Sequence, residues 1–478
     1  MKLLPRFLTT SLLALALFSP RALLPAAFAA ENTAAAVSKV TVTFYGAPAA
    51  ARGFTWYTDA SSLRSDLQLV EKAGSAPDFG KAASFSGRSS ASTNAPGEIV
   101  HKAEAAGLKP GTEYYFRVGD AALNAWSGIG AFRTAPESGP FTFIDLADTQ
   151  AKNENESVLS SATIAKAFNT LPHAAFLAVN GDIVDTGNRE KQWDWLLGKA
   201  AGSLMRTTLL PAAGNHEKQK NSFIEHFHLG TPPGADTGSG AYYSVDYLNA
   251  HFIVLNTNEN SWTYSDLSRR QVNWLKEDVS AARKRGVGWL IVMLHKGPYT
   301  TSSHATDRDI RGFRGVRTRL APLLARLGVD LVLQGHDHIY ARTKPIKEDG
   351  TADSPAVTSG TLNGLSIEYA SDPKGPIYLI PATAGPKTYY RNKKAGQSYY
   401  DLFAVADEHH AAAYGPDKKD PSRPVRGQVQ NFTGITIDGS RLTAVSYEID
   451  QSKNGAQPFI IDQFGIVKGS GGLKAGRI

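Results

Sequence analysis

The sequence predicts a layered α/β domain preceded by an all-β module. Three observations carry that reading. Residues 38–135 alternate with period two and are punctuated by turn signals, whereas beyond Pro140 near-continuous apolar runs alternate with helical patterns. The tail then returns to short alternating strands.

The chain opens with Met1-Lys2-Leu3 and a second cation at Arg6, followed by an apolar run from Leu12 to Phe18 and by Ala27-Phe28-Ala29. This is the pattern of a secretory signal peptide over residues 1–29, cut after Ala29. An uncleaved membrane anchor suits it less well, because the apolar core is short and is broken off by Pro20 and Arg21. No later stretch is apolar for long enough to span a bilayer as a helix, so the expected protein is secreted, extracellular or held in the cell envelope. Lys2, Arg6 and Arg21 lie in this leader without an acid, so the formal net charge of +7 overstates the basicity of the mature chain. No run of five or more cations occurs, and nothing argues for nucleic acid as a partner. Cysteine is absent, so stability must come from packing and bound metal rather than from disulfides.

In the first module, Lys39-Val40-Thr41-Val42-Thr43-Phe44 and Gly53-Phe54-Thr55-Trp56-Tyr57-Thr58 alternate as strands do. The turn signal Lys109-Pro110-Gly111 is followed by Tyr114, Phe116 and Val118 on one face of a further strand. A turn followed by a tyrosine that opens a strand resembles the tyrosine corner of β-sandwiches. Residues 38–135 look like a fibronectin type III-like domain, ending at Phe132-Arg133-Thr134. The stretch from Ala135 to Pro140 reads as a linker.

Phe141 to Ile144, Ala174 to Val179, Trp289 to Leu294 and Val329 to Leu333 then read as strands buried on both faces. Helical patterns lie between them over Ser160 to Leu171, Leu267 to Arg285 and Gly315 to Leu327. Phe432 to Ile437 and Leu442 to Val445 alternate again and complete a sheet.

Five blocks close apolar runs with metal-binding side chains: Asp148-Thr149-Gln150, Gly181-Asp182, Gly214-Asn215-His216-Glu217, His295 and Gly335-His336-Asp337-His338. They supply two carboxylates (Asp148, Asp182), two amides (Gln150, Asn215) and three imidazoles (His295, His336, His338), with His216 left over. Singly, each block has a plain structural explanation, such as a turn or a capping pair. Together they close five buried strands, where so many polar groups without metal would lack partners. One carboxylate can give an oxygen to each of two cations, and Asp182 suits that role. Mixed oxygen and imidazole donors suit Mn, Fe or Zn better than calcium or copper. His216 adjoins a proposed ligand without being one, and histidine chemistry makes it the candidate general acid. His304, nine residues past His295 in a polar loop, is a candidate for phosphoryl contact or shared proton transfer. His101, His173, His226, His228, His251, His409 and His410 show no partner pattern and read as structural or exposed.

These blocks resemble the calcineurin-like metallophosphoesterase superfamily over residues 141 to about 450. The fibronectin-like module and His304 are similar to the purple acid phosphatase branch. The resemblance implies mixed β-sheets in two layers flanked by helices over residues 140–466. It implies one metal held by Asp148, Gln150, Asp182 and His338, and the other by Asp182, Asn215, His295 and His336. It implies further that a bridging or terminal hydroxide attacks phosphorus while His216 protonates the leaving oxygen; the two departures below favour two divalent ions.

Two departures stand out. The superfamily commonly has histidine where Gln150 stands, and the purple branch carries a tyrosine ligand where Asp185 stands. Without that phenolate purple colour is not expected, and Asp185 is left to orient a ligand or a water. The expected function is hydrolysis of small phosphate monoesters. A phosphodiesterase or nucleotidase on the same site and, less favoured, a non-catalytic adhesion protein are the alternatives. Substrate class should depend on the rim, for which Tyr299, Tyr340, Arg342, Lys387, Tyr389, Tyr390 and the tract from Gln397 to Arg423 are the candidates. Oligomeric state is not legible.

Overall fold

Nine short strands build the first module: Ser38–Thr43 (β1), Ala51–Asp59 (β2), Asp66–Glu71 (β3), Ala83–Ser86 (β4), Arg88–Ala91 (β5), Glu98–Ala106 (β6), Glu113–Asp120 (β7), Ala125–Trp126 (β8) and Gly130–Arg133 (β9). In this computed structural model, which describes residues 36–74, 76–260, 266–406, 429–451 and 455–469, they form two facing sheets. One holds β1, β2, β6 and β5, and the other holds β4, β3, β7 and β8, with β9 paired to β7. Phe54, Trp56, Leu67, Leu69, Tyr114, Phe116, Val118 and Phe132 fill the space between them. The tyrosine corner is present: the amide of Lys109 donates to the Tyr114 hydroxyl at 2.9 Å.

Strand β2 alternates in sequence, yet neither of its faces is open to solvent. Phe54 and Trp56 enter the sandwich, while the opposite face meets the larger domain, where Tyr57 stacks on His226 at 5.0 Å. Residue period alone cannot reveal a second partner for the polar-looking side. Buried Lys39 reaches Glu190 at 3.1 Å and Asp194 at 3.2 Å across the same junction.

The larger domain continues with Phe141–Leu146 (β10), Glu154–Thr170 (α1), Leu177–Val179 (β11), Glu190–Lys199 (α2), Ala201–Leu204 (α3), Leu209–Pro211 (β12) and Ser222–His226 (α4). Next come Tyr243–Tyr247 (β13), Ala250–Leu255 (β14), Arg269–Lys284 (α5), Trp289–Leu294 (β15), Arg308–Arg311 (α6), Val316–Arg326 (α7), Leu331–Gln334 (β16) and Tyr340–Thr343 (β17). The described chain closes with Val357–Leu362 (β18), Leu365–Ser371 (β19), Ile377–Pro381 (β20), Phe403–Ala406 (β21), Val429–Asp438 (β22), Arg441–Asp450 (β23) and Phe459–Val467 (β24).

Helix α1 starts six residues before the predicted Ser160, because the Asn153 side chain caps it by accepting from the Glu156 amide at 3.0 Å. Helices α5 and α7 fall where the pattern placed them. Strand β11 is shorter than its apolar run, since Ala174 and Ala175 precede it.

Strands β10, β11 and β12 run parallel, and β22 pairs antiparallel to β10, so the tail does complete a sheet. Strand β12 also pairs parallel with β1, which carries the hydrogen-bonded sheet on into the first module. A second mixed sheet holds β14, β15, β16 and β20 in parallel, with β13, β17 and β21 antiparallel to their neighbours. Phe143, Phe176 and Phe252 pack between the two sheets, with Phe143 and Phe252 edge-on at 5.2 Å. Helices α5 and α7 cover the outer face of the second sheet through Val272, Leu275, Leu320 and Leu324.

The five sequence blocks follow β10, β11, β12, β15 and β16, all at carboxyl ends of parallel strands. No helix among the described residues is long and apolar enough to cross a membrane. The predicted leader over residues 1–29, His409, His410 and most of the tract from Gln397 to Arg423 lie outside the described residues.

Candidate metal centre

Parallel strands end in loops on one edge, and here that edge gathers the predicted donors from both sheets. Asp182, His295 and His336 form one group able to hold a cation, and Asp148, Asp182 and His338 form a second. Asp182 belongs to both. Its Oδ1 lies 3.2 Å from His295 Nε2, and its Oδ2 lies 3.2 Å from the Gln150 amide nitrogen. Asp148 Oδ1 stands 3.3 Å from His338 Nε2, and Asn215 Oδ1 stands 3.1 Å from His295 Nε2. The Gln150 amide is 3.4 Å from His338 Nε2. The seven predicted donors therefore lie together, and five of them make up the two groups that share Asp182.

Holding them there strains the backbone. Asp148, Asp182 and His336 adopt φ of +58°, +51° and +72°, a region that non-glycine residues rarely occupy. Room is made by glycines: a Cβ on Gly214 would sit 2.1 Å from the Asp182 amide nitrogen, and one on Gly181 would sit 2.6 Å from that of Gly214. The imidazoles are aimed by their far nitrogens. His295 Nδ1 donates to the Asn180 carbonyl at 2.7 Å, and His338 Nδ1 donates to the Lys387 carbonyl at 2.6 Å. Each Nε2 is thereby turned inward.

Electrostatics follow from this crowding without cations. Burial would raise the Asp182 pKa, but His295 outweighs it and holds the carboxyl well below its usual range. Burial opposes the charge on His295, yet Asp182 drives its pKa up to about 9. His336 goes the other way, lowered by burial and by His295. The donors also fit metal on hydrogen-bonding grounds. Asp148 Oδ2 and Gln150 Oε1 are buried without a hydrogen-bond partner, a cost of about 1–3 kcal/mol each that a cation would remove.

His216 is beside the donors rather than among them. Its Nδ1 donates to the Asp185 carbonyl, and its Nε2 faces the centre 3.7 Å from Asp182 Oδ2. The Asp185 carboxylate is 4.0 Å from His216 Nδ1, so Asp185 acts on this ring. His304 stands at the rim, its Nδ1 2.6 Å from Asp307 and its ring 4.5 Å from that of His336.

The rim candidates divide. Tyr389 packs its ring 4.5 Å from His338, and Lys387 sits 5.2 Å over the Tyr389 ring. Tyr299, by contrast, is buried in the core against Tyr378, and Tyr340 and Arg342 bind Asp462 at 2.8 and 2.6 Å. Those three are structural, since a tyrosine or arginine in a strand can turn into the core once it finds a partner there. Of the histidines set aside, His101, His226, His228 and His251 are buried with polar partners, and His173 is exposed.

Two residues have supporting roles that sequence reasoning did not assign, although Glu217 stood in one of the five blocks. Glu217 is buried and accepts from the amides of Val184 at 3.1 Å and Gly214 at 2.9 Å, clamping two ligand-bearing loops together. Burial and Asp182 push its carboxyl up to about 8. Asn180 donates to Asp145 at 2.9 Å and to the Gln334 carbonyl at 3.3 Å, tying the sheets beneath the donors. Their adjacency to Asn215-His216 and to Gly181-Asp182 was the available signal.

Two family descriptions match this chain. Calcineurin-like phosphoesterase matches residues 144–340, and the N-terminal domain of purple acid phosphatase matches residues 37–134. Purple acid phosphatase 15 of Arabidopsis thaliana is 25% identical over 313 residues, covering 60% of this chain and 54% of that protein. Acid phosphatase type 7 of Homo sapiens is 27% identical over 301 residues, covering 60% of this chain and 64% of that one. This chain thus spans only a little over half the length of the first relative. A purple acid phosphatase from yellow lupin (Lupinus luteus) seeds shares the fold, with a TM-score of 0.67 at 15% identity over 91% of this chain and 75% of that one. PhoD shares it with a TM-score of 0.58 at 13% identity over 91% of both chains.

Proposed function

Because the chain belongs to the calcineurin-like phosphoesterases and carries the N-terminal domain of purple acid phosphatases, we propose that it is a metal-dependent phosphatase acting on small phosphate monoesters. The single observation that supports this most is the pair of donor groups sharing Asp182. Asp148, Gln150, Asp182 and His338 would hold one divalent ion, and Asp182, Asn215, His295 and His336 the other; Mn, Fe and Zn suit these donors. Two such ions would supply Lewis acidity toward the phosphoryl group and an activated water.

The chain's own residues do the rest. His216 carries its spare proton on Nε2, facing the centre, and passes it to the leaving oxygen. The Asp185 carbonyl fixes the ring so that this nitrogen, and not Nδ1, meets the substrate. His304 lines the rim next to His336 and contacts the phosphoryl group or shares in the proton transfer. The fibronectin type III-like module over residues 38–135 carries none of these groups, and the phosphoesterase domain over 140–466 carries all of them. The leader pattern over residues 1–29 supports export.

The test is metal content per chain on protein purified without added metal, with hydrolysis of an aryl phosphate and a bis-aryl phosphate alongside. Close to two metals, with monoester turnover lost to chelator and restored by Mn, Zn or Fe(II), is the expected result. Neither metal nor turnover after those ions are supplied would overturn it.

A further inference from the structure

The metal donors fix where phosphorus sits, but they do not by themselves distinguish a monoester from a diester. Charge does. Two divalent ions against the Asp148 and Asp182 carboxylates and one anionic solvent ligand leave a centre of about +1. A phosphate monoester carries about −1.5 to −2 near neutral pH, with three non-bridging oxygens. A diester carries a single negative charge and two such oxygens. A site that selects the monoester needs one more cation, placed where the third oxygen lies.

Lys387 is the candidate for that cation. Its main-chain carbonyl accepts from His338 Nδ1 at 2.6 Å, so the residue is anchored directly to a donor of one metal group. The amide of Tyr389 donates back to the His338 carbonyl at 2.9 Å, closing the segment around that histidine. The Lys387 side chain is half-buried, and its Nζ lies 5.2 Å over the Tyr389 ring. Tyr389 itself packs on His338 at 4.5 Å and stands 5.8 Å from His304. Among the described residues, no carboxylate forms an ion pair with Lys387, although Asp182 and Asp148 are near enough to act on its charge.

We propose that Lys387, held by Tyr389, contacts the third non-bridging oxygen of the substrate and selects phosphate monoester dianions over diesters. In a diester that oxygen bears a carbon, so the ammonium would be desolvated against a neutral arm. This deepens the phosphatase reading above and rests on it.

The test uses the full metal-loaded protein and the Lys387→Met and Lys387→Arg variants, which preserve most of the side-chain volume. Met should lower kcat/KM on aryl phosphate about 10- to 100-fold, the range for a lost hydrogen bond to a charged group, and change bis-aryl phosphate about threefold or less. Arg should recover most of the monoester rate. Inorganic phosphate titrated calorimetrically should bind the Met variant about tenfold more weakly or worse. Tyr389→Phe, which keeps the ring on His338, should show a smaller loss with the same monoester bias. Equal losses on both esters, or unchanged phosphate affinity, would overturn the assignment. Wild-type protein that turns over neither ester would instead sink the phosphatase reading, and the phosphate titration would still judge Lys387.

Discussion

Asp182 Oδ1 lies 3.2 Å from His295 Nε2, while the other oxygen of the same carboxylate faces Gln150 at 3.2 Å. One side chain thus serves both donor groups, and no other residue belongs to both. Asp182→Asn keeps the shape but removes the charge that two cations would share. The expected outcome is fewer than two metals per chain by elemental analysis, and a fall in kcat of at least about 100-fold, beyond the range for supporting residues. Full activity in this variant would mean that the centre is elsewhere.

His216→Ala separates proton transfer from metal binding. His216 donates through Nδ1 to a main-chain carbonyl and stands outside both donor groups, so its removal should leave metal content unchanged. General acid catalysis contributes typically about 10²–10⁴-fold, so turnover should fall by that order. The loss should grow as the leaving phenol becomes less acidic. A flat dependence on leaving group would remove His216 from that role.

The candidate donors were legible because they are local. Each of the five blocks joins a buried run to a polar ligand, and the end of a parallel strand is the one place where that combination is stable. Rim residues were not legible for the opposite reason. Tyr340 and Lys387 look equally available in one dimension, but Tyr340 meets Ser446 and Asp462 from distant strands while Lys387 follows a strand end beside His338. The second burial of β2 was hidden in the same way, since its partner at His226 lies far along the chain.

Colour is a further readout. The purple branch places a tyrosine where this chain has Asp185, whose main-chain carbonyl binds His216. Tyr389, the aromatic packed on His338, has the Lys387 ammonium over its ring instead. Iron-loaded protein should therefore lack an intense tyrosinate-to-iron band in the visible spectrum, and Asp185→Tyr should gain one. Such a band in the wild-type protein would overturn the divalent assignment.

Outside the centre, His251 is buried between Asp246 at 2.6 Å and Asp278 at 2.9 Å, and Arg285 also binds Asp246. Burial alone would lower the His251 pKa, but the two carboxylates win and raise it above 6.5. A raised histidine pKa stabilises the fold fully below its unfolded value and loses that contribution as pH rises through the folded value. Asp246 is depressed, with burial outweighed by His251 and Arg285, so its share is lost only as the solution becomes acidic. The gap in Tm between wild type and His251→Gln should be largest near pH 5–6 and shrink by about 2 °C toward pH 9. A gap independent of pH would show that packing, not charge, holds this histidine.

Gln150 is the least common donor type among the proposed ligands. Its Oε1 is buried without a partner, while its nitrogen faces Asp182 Oδ2 and His338 Nε2. Rotating the amide by half a turn exchanges the two atoms and puts the oxygen among the donors, as a metal ligand requires. If the amide ligates directly, Gln150→Leu should weaken one of two metals by about 10- to 100-fold in calorimetric titration, and Gln150→His should hold both. Retention of both metals with unchanged affinity in Gln150→Leu would limit Gln150 to binding a water. That outcome would leave Asp148, Asp182 and His338 as the whole of one protein donor set, with the remaining coordination supplied by solvent.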